Sequence, residues 1–140
     1  MANRNRTLAV LLVLTGIGTL LYWANYFAAD DVRVSPERWY TAFEDSFPAA
    51  DTWMALTALA AGIGLWRGAA WATRAGLLAG SAMIFLAAMD ITFNIENGLY
   101  GLAATSVPMQ FEIVINAWTL LIGVFTVAVC WKAPAHPGTT

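Results

Sequence analysis

Residues 7–28 read TLAVLLVLTGIGTLLYWANYFA, a run without a single charged side chain. A helix of about 20 apolar residues is what is needed to cross the roughly 30 Å of hydrocarbon in a bilayer. Three further stretches, residues 49–66, 75–93 and 109–131, have similar length and character. Nothing between them is long enough to form a soluble domain. The composition agrees: 59% of residues are hydrophobic and 11% are charged, whereas soluble domains carry about a quarter charged residues. Such a chain would present far more contiguous apolar surface than water tolerates. The expected fold is an all-α integral membrane protein, a bundle of four transmembrane helices forming one domain over residues 1–132. A short tail, 133–140, holds two prolines and a glycine and is expected to be a disordered cytoplasmic extension.

Arg4 and Arg6 give the chain a basic start, as in a signal peptide. The apolar run is too long for one, however. The bulky Tyr22, Trp23, Tyr26 and Phe27 also stand where small cleavage-site residues belong, so the first span is expected to be retained.

Lys and Arg give the orientation. Arg4, Arg6, Arg67, Arg74 and Lys132, five of the seven basic residues, fall on one side of the four spans, which places both termini in the cytoplasm. All nine acids (Asp30, Asp31, Glu37, Glu44, Asp45, Asp51, Asp90, Glu96 and Glu112) then lie on or toward the opposite face. Acids contribute little to orientation, so their polarity suggests a function exercised from the outer side. A multi-pass cell-membrane location follows, with the bacterial inner membrane as the default.

Residues 29–48 form the longer outer loop. Ser35-Pro36-Glu37-Arg38 has the character of a helix start, with Pro36 at the first helical position. Trp39, Tyr40, Phe43 and Phe47 follow as an apolar stripe at helical spacing, predicting a short amphipathic helix on the membrane surface or over the bundle. The tryptophans and tyrosines near both boundaries read as headgroup anchors.

Several chemistries are excluded. A net charge of −2 without a Lys/Arg stripe leaves no case for nucleic acid. One cysteine, Cys130, and one histidine, His136, rule out an internal disulfide, haem ligation by paired histidines and a Cys/His zinc site. No nucleophile motif or nucleotide loop is present, and neither a cofactor nor a metal is expected.

Ionisable residues inside spans are expensive and are functional candidates by default. Asp51 stands in the first turn of the second span, where the helix dipole alone accounts for a carboxylate. Asp90 stands about one turn before the end of the third span, where the dipole opposes it. Asn94 and Asn97 follow it on the same helical face. Glu112 lies early in the fourth span, with Asn116 one turn on. The third and fourth spans should be antiparallel neighbours, bringing Asp90, Asn94, Asn97, Glu112 and Asn116 into an outward-facing acid and amide pocket. Asn25, Tyr26, Thr92 and Thr119 are further candidates. The alternative for each is a hydrogen bond that fixes helix packing. Small-residue spacings such as Ala58-xxx-Gly62, Ala60-xxx-Gly64 and Gly76-xxx-Gly80 are expected to bring helices close within the bundle, or between copies in a homodimer.

The run Trp39-Tyr40-Thr41-Ala42-Phe43-Glu44-Asp45 followed by Trp53, together with Asn116-Ala117-Trp118, loosely resembles the EXPERA-domain proteins. These are sterol isomerases and their ligand-binding relatives, and the resemblance implies four membrane helices with intramembrane acids. The second span departs from it, carrying Ala58, Ala60 and Ala61 where that family places acid or histidine. The resemblance therefore concerns the fold and does not assign the family.

Three roles are compatible with these residues. The first is a membrane protein whose pocket binds or transports a cation, a proton or a small amphiphilic molecule. The second is a non-catalytic accessory subunit of a larger membrane complex. The third is an enzyme performing isomerase-like acid–base chemistry on a lipid-like substrate, and it ranks last. Membrane lipids are expected partners in every case, with a homo-oligomer or a larger complex as further possibilities.

Overall fold

The computed structural model describes residues 2–29 and 33–132. The acids Asp30 and Asp31 and the expected tail, 133–140, lie outside them. The described chain is helical, with no strand among the described residues. Helix α1 spans Ala2–Ala29, α2 Arg38–Glu44, α3 Pro48–Arg67, α4 Ala72–Glu96 and α5 Val107–Trp131, with a 3₁₀ turn at Leu99–Leu102 between the last two. Three of them, Asn5–Ala29 of α1, Ala72–Glu96 and Val107–Trp131, are long and apolar enough to cross a membrane. Helix α3 occupies the second expected span but is less apolar, because Asp51, Thr52, Thr57 and two glycines dilute it.

Local chemistry explains the boundaries. Pro48 opens α3, where its missing N–H costs nothing, and Asp51 follows in the first turn. Gly68 closes α3 in the left-handed region at φ 69°, a conformation that costs glycine little, and the N–H groups of Gly68 and Ala69 donate to the carbonyls of Leu65 and Gly64. Asn97-Gly98 ends α4 in the same way, with Gly98 at φ 66°. The Ser106 hydroxyl accepts from the Met109 N–H and caps α5. Helix α2 differs from expectation. It begins at Arg38 with Glu37 as its cap, while Ser35 uses its hydroxyl to hold the Glu37 N–H at 3.2 Å and keeps Pro36 outside the helix.

The four long helices pack in chain order, α1 on α3, α3 on α4 and α4 on α5, whereas α1 and α5 meet only sparsely. The glycines set the spacing. A methyl group added at Gly16 or Gly62 would fall within 3 Å of the facing helix, against Leu59 and Ala55 or Val13 and Ala9. Gly80 and Gly123 likewise bring α4 and α5 together backbone to backbone, and Gly76 makes room for the Cys130 sulfur. The small-residue spacings thus serve packing inside the bundle. Contact of Gly76 with Cys130 at one end and of Asn94 with Glu112 at the other requires α4 and α5 to be antiparallel.

The end of the bundle near Arg6, Arg67 and Arg74 is filled by an alanine-rich core with Leu8, Leu12, Met83 and Val129. At the other, acidic end, α2 and the 3₁₀ turn close over a small core of Tyr40, Leu99 and Met109. The outward faces are apolar: Leu21, Phe85, Val114 and Leu121 each expose more than 60% of their surface. That pattern suits a hydrocarbon surround better than water.

Candidate functional site

The acidic end holds a cavity of about 590 Å³ enclosed by α1, the α2–α3 corner, α4 and α5, a size usual for small-molecule sites. Four carboxylates line it: Glu44 at the end of α2, Asp51 in the first turn of α3, Asp90 in α4 and Glu112 in α5. Among the described residues no Lys or Arg lines it. The rest of the wall is mainly apolar or aromatic, with Tyr22, Trp23, Phe47, Met54, Phe111 and Trp118 prominent.

The acids are held in different ways. Tyr40 reaches in from α2 and its hydroxyl donates to Glu112 Oε2 at 3.1 Å. Burial pushes the Tyr40 hydroxyl well above its ordinary titration range, so it stays a donor. Asn94, fully buried, donates through Nδ2 to Glu112 Oε1 and, more distantly at 3.4 Å, to Asp90 Oδ1. Asp51 accepts from the Trp23 indole at 2.8 Å, a bond that ties α3 to α1. Outside the cavity, Tyr26 donates to Asp45 at 3.0 Å and carries the Arg33 guanidinium over its ring at 4.6 Å.

Glu44 is buried at the cavity's outer rim. Desolvation, then the nearby charges of Asp90 and Glu112, push its carboxyl up to about 8 from an ordinary 4.5. The Tyr40 hydroxyl opposes the shift, and Asp51 adds to it.

Asn116 lines the cavity and is only 4% exposed. It stands beside Asp90, and among the described residues its Nδ2 closes no hydrogen bond of normal geometry. A buried amide donor without a partner costs free energy.

The expected site residues are distributed as follows. Asp51, Asp90, Glu112 and Asn116 converge on the cavity, as do Asn25 and Thr119. Asn94 lies behind the wall and orients Glu112 and Asp90. Asn97 stays on the surface, where its side chain donates to the Phe93 carbonyl at 2.8 Å as part of the α4 terminus. Thr92 is exposed, and Tyr26 is committed to Asp45. Reasoning from the sequence missed Glu44, Tyr40 and Trp23. The signal for the first two was the i, i+4 pair Tyr40–Glu44, which puts a hydroxyl and an acid on one face of α2.

The cavity is not closed on all sides. The lining residues Leu14 and Leu21 of α1, and Phe111, Val114 and Trp118 of α5, are each between about 40% and 65% exposed, so the wall is open along the seam where α1 and α5 fail to pack. The Trp118 indole bridges that seam, donating to the Thr15 hydroxyl at 2.9 Å.

No family model, curated protein or solved structure matches the chain. The likeness to the EXPERA-domain proteins stands on the residues that carry it and nothing further.

Proposed function

We propose that the chain is a multi-pass membrane protein, with four spanning helices and both termini in the cytoplasm, that binds a small amphiphile with a positively charged head in its outward-facing acidic cavity. The observation that carries this reading is the convergence of Glu44, Asp51, Asp90 and Glu112 on one apolar, aromatic cavity that no Lys or Arg lines among the described residues. Carboxylates in low dielectric ionise at a cost unless a counter-charge is supplied. An organic cation supplies it, and aromatic faces favour such a cation further. The apolar wall and the open α1–α5 seam favour a ligand with a hydrocarbon part over a bare ion. In the same sense, among the described residues no three acids gather closely enough to form a metal shell.

The test is equilibrium binding of dodecyltrimethylammonium to the protein in nanodiscs, with dodecanol as the neutral counterpart. Asp90→Asn and Glu112→Gln are each expected to weaken the cation about tenfold or more and to leave dodecanol unchanged. Equal binding of the cation to wild type and to both variants would overturn the reading and turn the search toward a protein partner.

A further inference from the structure

We infer that Trp118, held across the α1–α5 seam by Thr15, is the floor of the cavity and limits the length of the ligand's tail; this rests on the binding function proposed above. The four cavity carboxylates lie at the acidic end, so a charged head placed there lets its tail run along the seam toward the middle of the bundle. On α1 the lining runs from Asn25 down to Leu14, and on α5 from Phe111 down to Thr119. Beyond those residues the close-packed alanine core begins. Trp118 stands at this limit. Its indole reaches from α5 to the Thr15 hydroxyl, and Thr15 gives its own proton to the Leu11 carbonyl at 2.9 Å. The hydroxyl oxygen is thereby fixed as an acceptor, and the ring is held across the gap.

Above this bar the passage is clear. A side-chain carbon added at Gly18, one turn above Thr15, would meet no atom within 4 Å. Glu112 and Trp118 are six positions apart on α5, which at the helical rise is about 9 Å. A tail of about that length is housed, and a longer rigid tail collides with the indole. The ligand class is accordingly a single-tailed amphiphile, with a cationic head at Asp90 and Glu112 and a tail of limited rigid length.

The probes are trimethylammonium compounds bearing one, two or three para-linked phenyl rings, whose tails cannot bend away from the floor. Binding is measured in nanodiscs against wild type and Trp118→Ala. Wild type should take the one- and two-ring probes and disfavour the three-ring probe by about tenfold or more. Trp118→Ala should recover the three-ring probe while leaving the shorter two unchanged. Trp118→Leu cannot reach Thr15 and carries the same expectation should the alanine variant fail to fold. The floor is overturned if wild type binds the two- and three-ring probes alike, or if the variants weaken all three together, as a merely structural role would. If wild type binds none of the three, it is the proposed binding function that fails.

Discussion

Glu44 is the residue at which the cavity's electrostatics become measurable. The groups around it come from every neighbouring element: Tyr22 on α1, Tyr40 on its own helix, Asp51 on α3, Asp90 on α4 and Glu112 on α5. Its carboxyl ionises near 4.5 when the chain is unfolded but holds its proton to about 8 when folded. Between those values the unfolded chain binds fewer protons, so folding stability falls as pH rises. Thermal unfolding read by a thiol dye on Cys130, the single and buried cysteine, should show a midpoint that declines from pH 5 to 8, and a shallower decline in Glu44→Gln. Equal slopes would contradict the assignment. A quaternary ammonium, whose charge does not change with pH, should bind more tightly as pH approaches 8 and then level off, and Glu44→Gln should flatten that rise. Asp90 and Glu112 were legible from sequence because an acid inside an apolar run stands out. Glu44 was not, because it lies in a loop already rich in acids, and only tertiary packing buries it. Tyr40 and Trp23 are hidden for the same reason: nothing local distinguishes a ring facing headgroups from one that turns inward to meet a carboxylate.

At the level of the helices, glycine does two different jobs. Gly80 and Gly123 let α4 and α5 touch, and a valine at either has no space. Gly80→Val or Gly123→Val should cost about 1–3 kcal/mol, as overpacking does, seen as a lowered unfolding midpoint. Gly18 faces open space, so Gly18→Leu should keep its melting behaviour while filling the cavity, with dodecyltrimethylammonium binding lost. If Gly18→Leu binds normally, the cavity is not the site. The positions of the long helices were readable from hydrophobic run length. The start of α2 was not, because Ser35 engages the Glu37 N–H and so shifts the first turn past Pro36. The inward face of α2 was likewise hidden, since its stripe Trp39, Tyr40, Phe43 and Phe47 does not say which of its rings will be covered; Phe43 stacks on Phe93 at 3.5 Å, while Trp39 remains half-exposed.

For the molecule as a whole, the separation of charge is its most general feature: Arg6, Arg67, Arg74 and Lys132 at one end and the acid-lined cavity at the other. The proposed orientation puts both termini on the same side of the membrane. Green fluorescent protein fused to either end should fluoresce, and alkaline phosphatase fused to either end should be inactive, when expressed in a bacterial host. An active phosphatase at one terminus would overturn the four-span arrangement, and α3, the least apolar of the long helices, would be the one that fails to cross. The sparse contact between α1 and α5 has a mechanical consequence as well. A bundle packed along three seams and left open along the fourth is a clasp, and the lateral pressure of one leaflet bears directly on its two free arms. Tightly packed saturated lipids should press the arms together and slow ligand entry, while loosely packed unsaturated lipids should speed it. Association rates in nanodiscs of the two lipid types should therefore differ, with the equilibrium preference for the cationic head unchanged.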